Sequence, residues 1–464
     1  MIIKKRILLF SFLLVSLSVL IFFALIIPGN KREPYISPYP EGKNFVFTIT
    51  DDAHDQTVEK IKPVYDLLYE LGLKTTIAVY VREPARNNGI PDFELGSLSR
   101  EERIEFINDS LSLKGDTLQQ QDYLDYIREL KRRGFEIAIH TASAGNDLRD
   151  ETIKAYEEYR DIFGEYPGMN IMHSNNLENA YWGHKVFGPG VIRWVTENVI
   201  GAIYPKAKFP FQGEEQGSPY FWGDILKEKT KYVRMWGTHD INTLKINPSM
   251  PYHDPQKPYV NYWFSFSEGH TRKMFNKLLN DKNIEKLCKE RGASIVYTHF
   301  ASGFSRRSAD GSYVVDPASK TQLAKLSQRK DGWFVPVSEL LDRLLLMKNV
   351  VLSETASAVV VSNFNDSAVP GVTLIAEPDF RYYDENGNQL KPDEDGEIIV
   401  GDIPAHGNAA LYKNADNLRP GRDELSRSIQ HREAPQAGAE PGRFEYARLV
   451  LNRGWVWLTT TVDW

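Results

Sequence analysis

The stretch "FVFTITDDAHD", residues 45–55, carries most of what this chain says about itself. Residues 45–50 are apolar or β-branched and uncharged, the composition of a strand buried on both faces. The run ends in two adjacent carboxylates, Asp51 and Asp52, and His54 follows two residues later. Adjacent side chains on a strand point to opposite faces. In α/β folds, functional side chains gather where the strands end, at their C-terminal rim.

Outward from this stretch the pattern alternates. "TVEKIKPVYDLLYELG" (57–72) has apolar residues at helical spacing and a glycine stop. "KTTIAVYV" (74–81) reads as the next strand. An inserted polar stretch reaches to about residue 117, and then come the helix "QDYLDYIRELKRRG" (121–134) and the strand "FEIAIH" (135–140). The helix 151–164 leads to the strand "MNIMH" (169–173). Further strands are expected at 201–205, 232–238 and 293–299, with a helix before the last and another at 337–349. Such alternation argues for parallel strands with crossover helices, in a barrel or an open doubly wound sheet, and the number of strands favours barrel closure. No glycine-rich phosphate fingerprint follows the first strand, which argues against a nucleotide.

The 464 residues allow more than one domain, and a net charge of -6 gives no sign of a nucleic-acid partner. Residues 350–412 change to short β-rich runs with turn signals such as Asn386-Gly387, read as a small all-β sandwich. Residues 413–464 have the composition of a largely disordered tail. The single cysteine, Cys288, excludes an internal disulfide. At the N-terminus, Lys4, Lys5 and Arg6 precede an uncharged apolar run over 7–27. That run is long enough for a transmembrane helix. Residues 1–28 are therefore expected to be a signal anchor with the basic cluster cytoplasmic, and 29–42 a linker. This places a single-pass protein in the plasma membrane with its catalytic domain outside; secretion after signal cleavage is the alternative.

Five separate segments deliver an imidazole or carboxylate to the expected rim: Asp51-Asp52, His140, His173, His239-Asp240 and His299. Imidazole and carboxylate together suit a divalent first-row metal, zinc above all. A glycosidase fits less well, because its paired carboxylates stand about 5–9.5 Å apart across the bond.

These segments resemble the motifs of the polysaccharide deacetylases, the NodB-homology or carbohydrate esterase family 4 group. "TITDD" (48–52) is similar to the first motif, with Thr50 in the aromatic position; "HTASA" (140–144) to the second; "VYTH" (296–299) to the last. The segment around Trp236 and Asp240 resembles the fourth. The resemblance covers about residues 43–345 and implies a divergent member with a distorted (β/α)7 barrel over 43–349. It implies a metal-dependent hydrolase removing N- or O-acetyl groups from an extracellular polysaccharide or cell-wall glycan. Asp51 would be the base, His299 the acid, Asp240 a further catalytic residue, and Asp52 and His140 metal ligands. The second histidine of motif two falls on Ala144, which cannot bind a metal. His173 is the first choice to replace it, His54 the second, and Asn146 or Asp147 the third. A glycan binder that has lost its metal is the competing reading.

Overall fold

The computed structural model describes residues 34–85, 115–173, 176–203, 208–376, 381–414, 442 and 445–452. The chain divides into two compact units. Of the described residues, the larger holds 43–350 and 445–452, and the smaller holds 34–42 and 351–414.

The smaller unit contains β1 (Tyr35–Ser37), so the segment expected to be pure linker contributes a strand. The larger unit begins with β2 (Phe45–Asp51), every residue of which is buried. It continues through β3 (Thr76–Val79), β4 (Glu136–Ile139), β5 (Met169–Asn170), β6 (Tyr232–Thr238), β7 (Tyr262–Glu268) and β8 (Ala293–Thr298). These pair in that order, all parallel, and β8 pairs back onto β2 from Val46↔Ala293 to Asp51↔Thr298. The sheet therefore closes into a seven-stranded parallel barrel. A hairpin of β9 (Ser305–Arg307) and β10 (Tyr313–Val315) follows, and β11 (Gly332–Trp333) adds to the N-terminal half of β2.

Helices cover the outside. Val58–Glu70 lays Ile61, Val64, Tyr65 and Leu68 on the sheet, and Gln121–Arg132 buries Tyr123, Ile127 and Leu130. The helix Arg149–Phe163 ends at Gly164, whose φ of 79° gives the left-handed cap that glycine supplies without strain. The expected helix before β8 is two helices, Arg272–Leu278 and Asp281–Lys289, because Asn280 caps the second with its own side chain.

Three expectations need correction. The strand expected at 201–205 is not one: Gly201–Ile203 is helical, and the missing barrel strand is β7, "YWFSFSE", whose aromatic residues look like loop clusters in the sequence. The tail is not wholly without structure, since residues 445–452 form a helix with Leu449 fully buried in the barrel core. Glu445 of that helix accepts hydrogen bonds from the Ser249 N–H (2.7 Å) and hydroxyl (2.6 Å). The third is the membrane anchor: no helix among the described residues is long and apolar enough to cross a membrane. Residues 7–27 lie outside the described residues, and neither the anchor nor a plasma-membrane location is carried further. Most of the polar excursion before residue 117 also lies outside them.

In the smaller unit, β14 (Val369–Ile375) sits between β1 and β17 (Glu397–Ile403). A second sheet runs β12 (Val350–Glu354), β13 (Ala358–Asn363), β18 (Asn408–Tyr412), β15 (Tyr382–Tyr383) and β16 (Gln389–Leu390).

Candidate functional site

The barrel strands end on one rim, and the histidines follow them. His54 lies in the turn after β2, His140 directly after β4, His173 after β5 and His299 directly after β8. Their rings form one cluster. His54 stacks on His299 with centroids 4.5 Å apart, and meets His173 edge-on at 4.8 Å. His140 and His173 are edge-to-face at 5.2 Å. The ligand atoms of His54, His140 and His173 lie within 4.8 Å of one another, as do those of Asp52, His54 and His299.

Asp51 and Asp52 part as strand alternation requires. Asp52 faces the barrel interior together with Thr50. The Arg234 guanidinium, from β6, holds Asp52 with two hydrogen bonds, Nη1 to Oδ1 at 2.7 Å and Nη2 to Oδ2 at 2.6 Å, and also reaches Thr50 Oγ1 at 2.8 Å. Both partners are nearly water-free, at 6% and 2% side-chain exposure, so this is a charge pair that must be kept whole. The Tyr297 and Phe266 rings flank the guanidinium at 4.3 and 5.0 Å and fix its plane.

Asp51 faces the helix layer. Its carboxylate accepts hydrogen bonds from Tyr65 Oη (3.0 Å), Gln56 Nε2 (3.1 Å) and the Phe300 N–H (2.7 Å). Burial pushes its pKa well up, while these donors work against that. It ties the end of β2 to a helix and to the chain after β8. Asp51 belongs to neither ligand group. Asp240 is likewise outside both groups: Lys286 (2.6 Å) and the Asn242 N–H (2.9 Å) occupy its carboxylate. Asp147 accepts from the Ser143 hydroxyl and N–H, and Asn146 from the Leu177 N–H, so both brace the loop after His140. Ala144 is buried against Ala53 and Tyr80.

The tautomers follow from the partners, because a carbonyl can only accept. His140 Nδ1 donates to Ile171 O at 2.7 Å, and His299 Nδ1 donates to His270 O at 3.0 Å. His140 Nε2 stands 3.0 Å from His54 Nε2 and 3.8 Å from Asp52 Oδ2. Burial lowers the pKa of all four histidines, to about 3 for His173; His299 adds to the effect at His54, His140 at His173, and the Arg234 charge at His140. The imidazoles are therefore neutral, the form that binds metal. The donor set fits a divalent cation at His54, His140 and His173. In the second group both Asp52 oxygens are already engaged by Arg234, which makes it the poorer site.

The sequence does not single out Arg234. The available signal is a lone charge inside the buried strand "YVRMWGT".

Fold and site together define a parallel (β/α)7 barrel with a buried histidine cluster at its C-terminal rim. No protein-family model matches the sequence, and no curated protein is similar to it. Solved structures that the chain resembles include deacetylases of the group its motifs resemble. One is the catalytic domain of a peptidoglycan N-acetylglucosamine deacetylase from Eubacterium rectale, at 12% identity and TM-score 0.29, covering 68% of this chain and 94% of that one. Another is a family 4 acetyl xylan esterase from Clostridium thermocellum, at 10% identity and TM-score 0.29, covering 64% and 90%. A third is the Puue allantoinase, at 11% identity and TM-score 0.36, covering 68% and 97%. Likenesses of this degree leave the activity to be read from the site itself.

Proposed function

We propose that this chain is a metal-dependent hydrolase that removes acetyl groups from an acetylated polysaccharide or cell-wall glycan. The observation that carries the reading is the convergence of three buried neutral imidazoles beside a carboxylate whose orientation is locked by Arg234. His54, His140 and His173 would hold the metal, zinc being the best match to three imidazoles with one position left open. A divalent metal bound there supplies an acidified water and polarises the acyl carbonyl.

The protein's own groups divide the remaining work. Asp52, with its ligand atom within 4.8 Å of those of His54 and His299, would accept the proton of the attacking water. The leaving nitrogen or oxygen needs one proton in return. His299 has Nδ1 tied to a carbonyl, so Nε2 is its exchangeable position, and it would relay that proton from Asp52. Tyr297 Oη, 3.1 Å from His299 Nε2, steadies the ring. In this reading Asp52 takes the part first given to Asp51, and His54 the ligand part first given to Asp52. A glycan binder without metal is less well supported, because His54 and His173 together make good the loss at Ala144.

The test is acetate release from acetylated chito-oligosaccharides and peptidoglycan by the full chain. Activity should vanish with chelator and return with Zn²⁺. Asp52→Asn should keep the metal and lose about 10²–10⁴-fold in kcat. Turnover indifferent to the chelator, or a full-length protein that binds no divalent metal, overturns the proposal.

A further inference from the structure

His173 lies in a segment with no counterpart in the motifs the sequence resembles, and one residue decides which of its nitrogens is available. His173 Nδ1 is 2.7 Å from Asn176 Oδ1. The orientation of the Asn176 amide follows from its other side. Nδ2 faces Gly145 O at 2.7 Å, Glu178 Oε1 at 2.6 Å, Ser143 O at 3.2 Å and Thr141 Oγ1 at 3.2 Å. A flipped amide would set its oxygen against two backbone carbonyls and a carboxyl oxygen, so Nδ2 must point there and Oδ1 must face the imidazole. Nδ1 of His173 then carries the proton, and Nε2 keeps its lone pair. His173, Asn176 and Glu178 are each at most 1% exposed, so no water competes for these bonds.

We propose that Asn176 is a positioning residue for the metal centre: it fixes the tautomer and ring orientation of His173 and couples them to the loop 141–145 that follows His140. His140 is oriented by a backbone carbonyl, a partner no mutation removes, whereas His173 depends on a side chain. The Asn176 amide binds the carbonyls of Ser143 and Gly145, so the two ligand-bearing segments after β4 and β5 are held in register through one group. Thr141, held in the left-handed region at φ 57°, is part of the same loop, and its hydroxyl donates to Ser143 O at 2.9 Å. A β-branched residue persists in that region only where the surroundings over-determine it. Behind Asn176 stand Glu178 and Asp147, linked by the Asp147 N–H donating to Glu178 Oε2 at 3.2 Å. The inference rests on the metal reading above, and the measurements separate the two.

The first measurement is Co²⁺ binding to the full chain, followed by titration and by the d–d absorption of the bound ion. Asn176→Ala should weaken binding by about 10–100-fold and change the spectrum, the usual scale for loss of an outer partner of a ligand histidine. Asn176→Asp keeps an oxygen facing His173 but sets its second oxygen against the Gly145 and Ser143 carbonyls. It should recover part of the affinity lost in Asn176→Ala, which a merely structural role would not produce. The second measurement is the ¹H–¹⁵N long-range spectrum of the histidine-labelled, metal-free wild type, with His173 assigned through His173→Asn. The expected form is protonated at Nδ1. A wild type that binds no Co²⁺ sinks the metal reading, while the tautomer still decides the part of Asn176. A wild-type His173 protonated at Nε2, or an Asn176→Ala protein with unchanged affinity and spectrum, overturns the proposal.

Discussion

Arg234 grips Asp52 through both oxygens, at 2.7 and 2.6 Å, across the interior of the barrel. The pair joins β6 to the residue that follows β2, strands that are not neighbours in the sheet. Removing one partner strands the other charge in a dry interior. Arg234→Met should therefore lower stability by about 3–5 kcal/mol in urea unfolding, and Arg234→Met with Asp52→Leu should recover a large part of it. A single-mutant loss below about 1 kcal/mol would mean that the pair is not buried as described.

Asp51 has a different duty from its neighbour. Asp51→Asn presents an amide hydrogen to a site built of donors, and each unsatisfied bond costs about 1–3 kcal/mol. The variant should unfold at lower urea yet bind Zn²⁺ with little change, and its folded fraction should keep kcat within several-fold. A large fall in kcat at unchanged stability would make Asp51 the base in place of Asp52.

The buried histidines give a definite sign to the pH dependence. His173 has a folded pKa of about 3, below its unfolded value of 6.5. Above the unfolded value neither state carries the proton and nothing is lost. As pH falls below it, only the unfolded chain gains the proton, so stability drops. In the metal-free protein, the stability of His173→Asn relative to wild type should rise by about 1.4 kcal/mol per pH unit below the unfolded value. A difference that stays flat from pH 7 to 5 contradicts a neutral His173.

The turn bearing His54 is held from beneath by Gly115. A Cβ on Gly115 would lie 2.3 Å from Ala53 O and 3.0 Å from Gln56 N, both backbone atoms that cannot swing aside. Gly115→Ala should thus displace the turn and weaken Zn²⁺ binding by at least tenfold, read by isothermal titration. Unchanged affinity would show that the turn can shift without moving His54.

The C-terminal helix belongs to the barrel's core. Leu449→Ala should cost about 2–5 kcal/mol, the range for a large-to-small change at a fully buried site. A cost near zero in urea unfolding would make the helix an adornment.

A good deal of this was legible in the chain. β2 could be read because its residues are uniformly apolar or β-branched and end abruptly in charge. The rim positions of His140, His173 and His299 followed from strand ends alone. β7 could not be read, since "YWFSFSE" mixes aromatic and hydroxyl residues that suit a buried strand and a loop equally. The tail helix was equally hidden, because a short segment acquires its stability from the surface it docks on.

What the sequence by itself determined was the alternation of strands and helices, the rim at which the candidate residues gather, and the residue types collected there. Alternation also dictated that Asp51 and Asp52 face opposite ways. Only closure of the sheet decided which of them faces inward. It brought Arg234 across to Asp52, and it gathered the ring nitrogens of His54, His140 and His173 within 4.8 Å of one another. Convergence of donors a few ångströms apart depends on distances between segments far apart in the chain, and local sequence carries no record of them.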